Sequence, residues 1–97
     1  MKKINVLFAD EYNDADILLV PDHIAESIET VTQQFFDWTS VNQSYFMVTD
    51  EHGNQFISVG TDEFIWWLNT HYIIGSEKAT ILESHTTYHP DYPTSEF

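Results

Sequence analysis

The apolar residues Ile24, Ile28, Val31, Phe35 and Trp38 recur at spacings of four, three, four and three. A helix turning every 3.6 residues brings such positions onto one face, so this segment is expected to form an amphipathic helix and to bury that face against another layer. Pro21 suits a helix beginning at or just after it and disfavours a helical Val20, and Asp22 then lies near the positive end of the helix.

The other segments supply the opposing layer. "INVLF", residues 4–8, reads as a strand, broken by the turn-forming "DEYND"; "ADILLVP", residues 15–21, is a second strand or an extended lead into the helix. "YFMVTDEHGNQFISVG", residues 45–60, flanks a Gly-containing loop with β-branched and aromatic residues, which predicts a hairpin turning at Gly53. Thr61 is placed to cap a second helix over residues 62–72, with Asp62 and Glu63 in its first turn and Gly75 able to close it. "KATILESHTTY", residues 78–88, predicts a final strand, and the proline-bearing 89–97 a loose tail.

The expected fold is therefore α+β: two helices on one face of a mostly antiparallel sheet of four to five strands, in a single domain over residues 1–88. The β-α-β-β-α-β order matches a split βαβ arrangement, with a possible extra strand at 15–20; a hairpin-helix-hairpin-helix-strand layout fits almost as well. At 97 residues the chain has room for one modest core and no second domain.

Charge narrows the function classes. Sixteen Asp and Glu stand against Lys2, Lys3 and Lys78, giving a net charge of −13, and no lysine or arginine occurs from Ile4 to Glu77. A magnitude of about 2 to 8 keeps a small domain soluble, so solubility alone does not account for it. Such a surface repels nucleic acid and anionic membrane and speeds encounter with a positively charged one. The expected partner is a basic protein.

The helix over residues 22–38 carries a second stripe. Asp22, Glu26, Glu29, Gln33 and Asp37 centre almost opposite the apolar face. Successive positions stand roughly 5 to 6 Å apart and the row spans about 22 Å, a spacing similar to that of phosphates along a nucleic-acid strand. Asp10, Glu11, Asp14 and Asp16 precede the helix and extend the row, depending on the turn. An array of this kind suits a lysine- and arginine-rich groove built for DNA or RNA. A surface helix ordinarily has a charged face, but one in which both signs interleave; adaptation to high salt also makes a chain acidic.

Aromatic residues add a second feature. Adjacent tryptophans on a helix point about 100° apart, so Trp66 and Trp67 in "FIWWLNTHY" cannot both occupy the centre of a small core. One then belongs to the core and the other either lies over the sheet edge or is a partly exposed anchor for a partner; Phe36, at the flank of the apolar stripe, is a second candidate anchor. Such anchors would let affinity survive salt, which screens charge and leaves packing largely untouched.

Other chemistry finds little support. The chain has no cysteine, hence no disulfide or thiolate zinc site, and no GxSxG, HExxH or phosphate-binding glycine loop. His85, His89 and Asp91 fall in an extended segment where four residues span roughly 13 Å, too far for one ion. "DEYNDAD" departs from the calcium-loop pattern, and His23, His52 and His71 are isolated. No metal, cofactor or enzymatic activity is expected. The apolar run after "MKK" is too short for a signal peptide and no stretch approaches a membrane span, so a soluble cytoplasmic protein is expected.

These features favour a non-enzymatic inhibitor that covers the basic surface of a nuclease or nucleic-acid-binding effector, in the manner of DNA mimics and anti-CRISPR-like phage counter-defence proteins. An immunity protein neutralising a toxin nuclease is the alternative. A small enzyme or ligand-binding domain, with acidity as a solvation trait, is the third. The sequence does not set the oligomeric state.

Overall fold

Strand β1 (Lys2–Leu7) runs antiparallel to β2 (Ala15–Val20), with Ile4 opposite Leu18 and Val6 opposite Asp16. The computed structural model describes residues 1–8 and 14–97. Two short helices follow, α1 (Asp22–Glu26) and α2 (Ile28–Val41), then a 3-10 turn (Gln43–Phe46) and the hairpin β3 (Met47–Thr49) and β4 (Gln55–Ile57). Helix α3 (Thr61–Trp67) continues through a π-helical turn (Leu68–Tyr72), and β5 (Thr80–Thr86) and β6 (Thr94–Glu96) complete the chain.

The order β5-β2-β1-β6 makes a four-stranded mixed sheet, because β6 joins β1 in parallel. The fold is α+β in one small domain. Its layout follows the hairpin-helix-hairpin-helix-strand order, with β6 added, rather than the split βαβ order: β1 and β2 pair directly, and the β3–β4 hairpin forms its own two-stranded sheet.

Alternation along β1 and β2 explains the layering. Ile4, Val6, Leu18 and Val20 bury toward the helices and join Ile24, Ile28, Val31 and Phe35 of the expected apolar stripe, with Phe64, Trp67 and Leu68 from α3. Phe35 is the hub: fully enclosed, its ring lies 5.2 Å from Phe64, 5.3 Å from Trp67 and 5.8 Å from Phe97. Enclosing one such ring contributes about 3 kcal/mol.

The opposite sheet face is buried too, by Asn5, Leu7, Ala15 and Ile17. The C-terminal segment crosses it. The Asn5 amide donates to the carbonyls of His89 at 2.9 Å and Tyr92 at 3.3 Å and to Thr94 Oγ1 at 3.1 Å, while its oxygen accepts from His89 N–H at 3.0 Å. Ser95 is buried against Thr32, Oγ to Oγ1 at 2.6 Å, and Phe97 packs edge-on to Phe8. Residues 94–97 are thus integral to the fold, where sequence composition predicts a loose tail; one aromatic and one small buried hydroxyl outweigh the prolines.

Two further expectations change. The first helix is not continuous: Ser27, at φ −121° and ψ 29°, separates α1 from α2. Thr61 is the first helical residue and not the cap, since Phe64 N–H bonds Gly60 C=O at 3.0 Å and the Thr61 hydroxyl turns instead to Asp16. At the other end of α3 the ammonium of Lys78 donates to the carbonyls of Asn69 and Ile73, and Asn69 exchanges two hydrogen bonds with the Ala79 backbone. A cation at a helix C-terminus satisfies carbonyls the helix cannot.

Candidate functional site: an acidic helix row and an aromatic groove

Asp22, Glu26, Glu29 and Asp37 are all exposed along α1 and α2. The break at Ser27 divides them into two pairs, and β1 brings positive charge to the first. The Met1 ammonium lies 2.8 Å from Asp22 and the Lys2 ammonium 3.1 Å from Glu26. The contact holds the Asp22 carboxyl below its ordinary range and the Met1 amine above its own. Exposed pairs of this kind contribute little and are weakened by salt, so they temper the first half of the row without closing it.

The second half is open. Glu29 faces solvent, and Asp37 accepts from Gln33 Nε2 at 3.0 Å, an i to i+4 contact that orients the carboxylate and leaves its charge in place. Beside this half, a groove of about 790 Å³ between α2 and the C-terminal strand is edged by Glu26, Glu29 and Glu96, with Phe36 on its wall. Phe36 is half-buried against Phe35 and Phe97. It is a shared core and surface residue more than a projecting anchor.

The residues before the helix separate in role. Asp10 and Glu11 lie outside the described residues. Asp14 is partly exposed and pairs with the His85 imidazole at 2.5 Å, which raises the His85 pKa. Asp16 is a correction to the expected partner-binding row. It is buried, and its two oxygens accept from the Thr61 hydroxyl and from His85 N–H, joining the start of α3 to an irregularity in the β2–β5 pairing. Its position on the inward face of β2, opposite Val6, gives it a structural task.

The tryptophans divide as their 100° offset requires. Trp67 is buried, stacked on Phe64 and 5.1 Å from the Tyr72 ring, so it leaves the set of partner-binding candidates. Its Nε1–H has no hydrogen-bond partner among the described residues. Trp66 is 38% exposed and belongs to a surface cluster, its ring 5.7 Å from Tyr45, 5.9 Å from Trp38 and 5.2 Å from His71. Sequence reasoning missed Tyr45 and His71 here. The signal was the "YF" preceding the hairpin, which reads as strand and in fact forms the 3-10 turn that aims Tyr45 outward, 59% exposed.

This cluster borders a groove of about 470 Å³ between the hairpin and α3, with Tyr45, Phe46, Met47, Val48 and Trp66 on its walls and Asp62 and Glu63 at its rim. Phe56 and Ile57, which pair with Val48 and Met47 across the hairpin, are exposed as well. Apolar surface rimmed by polar groups marks interaction sites more often than isolated exposed side chains do. Asp50 fixes the hairpin on this side: its Oδ1 accepts from the His52 and Asn54 backbone, each at 2.9 Å, holding its pKa low, while Gly53 takes a φ of +80°.

Among the described residues no three His, Asp or Glu side chains gather in a metal-binding cluster, and no helix is long and apolar enough to cross a membrane. No protein-family model matches the chain, and neither a curated protein nor a solved structure matches it.

Proposed function

We propose that this protein is a non-enzymatic acidic inhibitor that binds the basic, nucleic-acid-handling surface of a partner protein and blocks access to its substrate. The observation that carries the reading is the assignment of the cations. Lys2 pairs with Glu26, Lys78 bonds the end of α3, and Lys3 lies on β1 in a groove it shares with Glu83, His89 and Tyr92, so no lysine interleaves with Glu29 and Asp37 on α2 or with Asp62 and Glu63 on α3. Glu29 and Asp37, about 12 Å apart along the helix that Phe35 anchors, with Gln33 between them, are suited to competing with phosphates for a lysine- and arginine-rich groove. Counter-defence of the anti-CRISPR kind and neutralisation of a toxin nuclease both use this physics, and the partner decides between them.

The test is a comparative capture from lysate of the native host, with the wild-type protein and a Glu29→Lys/Asp37→Lys variant as baits and elution by a salt gradient. Both positions are exposed, so the variant should keep its circular dichroism spectrum. The expected result is a basic nucleic-acid-binding protein retained by the wild type, lost from the variant and released by salt. Equal retention by both baits would place the interface elsewhere.

A further inference from the structure

The groove between the hairpin and α3 stands apart from the helix row and combines features that the row lacks. Asp62 and Trp66 are four residues apart on α3 and Glu63 and Trp66 three apart, so both carboxylates share a helix face with the exposed indole. The indole is held in place: Phe46 meets it edge-on at 89° and Trp38 packs at 5.9 Å. Tyr45 continues the aromatic surface, its plane inclined 34° to that of Trp66. The opposite wall, Met47 and Val48, belongs to a two-stranded sheet that no third strand joins among the described residues.

We infer that this groove binds an arginine side chain carried on an extended basic segment of the partner. Guanidinium is the group whose chemistry fits every wall. Its planar face stacks on indole and phenol rings, its rigid fork of N–H donors matches carboxylates at the rim, and it is weakly hydrated enough to enter a partly apolar site. A lysine ammonium pairs with the carboxylates and can sit over a ring but has no planar face to stack or fork of donors to match them, and a phosphate, or the backbone that carries a nucleic-acid base, meets repulsion from Asp62 and Glu63 in a molecule already at −13. An uncharged apolar peptide fits the walls and leaves both carboxylates desolvated without a counter-charge. The inference rests on the partner being basic, as proposed above, but on different residues from the helix row.

The experiment titrates the isotopically labelled full chain with the peptide acetyl-Gly-Val-Arg-Val-Gly-amide and, separately, with its citrulline counterpart, which keeps the shape and removes the charge. Amide and indole NMR shifts are followed. The expected result is saturable shifts at Met47, Val48, Asp62 to Trp66 and the Trp66 Nε1–H with the arginine peptide, and at least about tenfold weaker binding with citrulline. Trp66→Leu should weaken binding by a similar factor; Asp62→Asn/Glu63→Gln, which leaves the aromatic packing alone, should do the same. Equal binding of both peptides, shifts spread along α1 and α2, or affinity indifferent to both variants would each overturn the inference. If it is overturned while Glu29→Lys/Asp37→Lys still abolishes partner capture, the inhibitor reading stands alone; if the peptide binds and no basic partner is captured, the groove remains an arginine site and the inhibitor reading fails.

Discussion

Trp66 and Trp67 are neighbours in opposite environments, one exposed and one buried, and the difference is measurable. Trp67 lies among Phe35, Phe64 and Tyr72, so Trp67→Ala should cost roughly 3 to 5 kcal/mol of stability in denaturant unfolding. Trp66→Ala should cost far less stability and weaken partner binding by more than about 1 kcal/mol. Comparable destabilisation by both would mean that the surface cluster is itself core. Asn5 offers a second residue-level test: it is fully enclosed and satisfies four backbone and side-chain groups of the C-terminal segment. Asn5→Ala should cost about 2 to 3 kcal/mol, because it strands buried polar groups, and should speed hydrogen exchange at the His89 amide. An unchanged exchange rate would show that the crossing segment is held by Phe97 and Ser95 alone.

At the level of elements, the β2–β5 seam is where pH should act. His85 takes a left-handed φ of 52°, its N–H bonds Asp16 and its ring bonds Asp14. The Asp14 contact raises the His85 pKa above its ordinary 6.5, with the charge of Asp16 adding in the same direction. A group whose pKa is raised on folding contributes stability that is fully present below its unfolded value, here about 6.5, and that is lost as pH rises through the higher folded value. His85→Asn tolerates the left-handed backbone and removes the titrating ring. Thermal unfolding of wild type and His85→Asn between pH 5.5 and 8.5 should therefore show the wild-type advantage shrinking as pH rises; parallel curves would mean the pair is energetically silent in water.

The elements also show what pattern can and cannot convey. The helical period of Ile24 to Phe35 and the turn at Gly53 follow from local rules; the β3–β4 hairpin turns where they put it, and the helix buries the expected stripe although Ser27 divides it into α1 and α2. The isolation of the hairpin from the main sheet is a tertiary outcome, and nothing in three-residue strands says which sheet they will join. The strand β6 was hidden for a different reason. Its partner β1 lies at the other end of the chain, its pairing is parallel, and Pro90 and Pro93 give its surroundings the composition of a tail. In the candidate site, the spacing of Asp22, Glu26, Glu29 and Asp37 gave their common exposure. It could not reveal that Lys2 reaches Glu26, or that Asp16 turns inward to hold Thr61, since both contacts join residues more than twenty positions apart.

For the molecule as a whole, the fold places an acidic helix row and an aromatic groove on different elements. The acidic row lies on α1 and α2, and the aromatic groove lies between the hairpin and α3. Charge at the row would set the rate and reach of encounter, and packing at the groove would set how firmly the complex persists in salt. The most direct test of this account takes the basic protein recovered by capture and measures its affinity for its nucleic acid as this protein is added. The account predicts that apparent affinity falls in proportion to added inhibitor, and that Glu29→Lys/Asp37→Lys protein leaves it unchanged. Full nucleic-acid binding in the presence of saturating wild-type protein would contradict it.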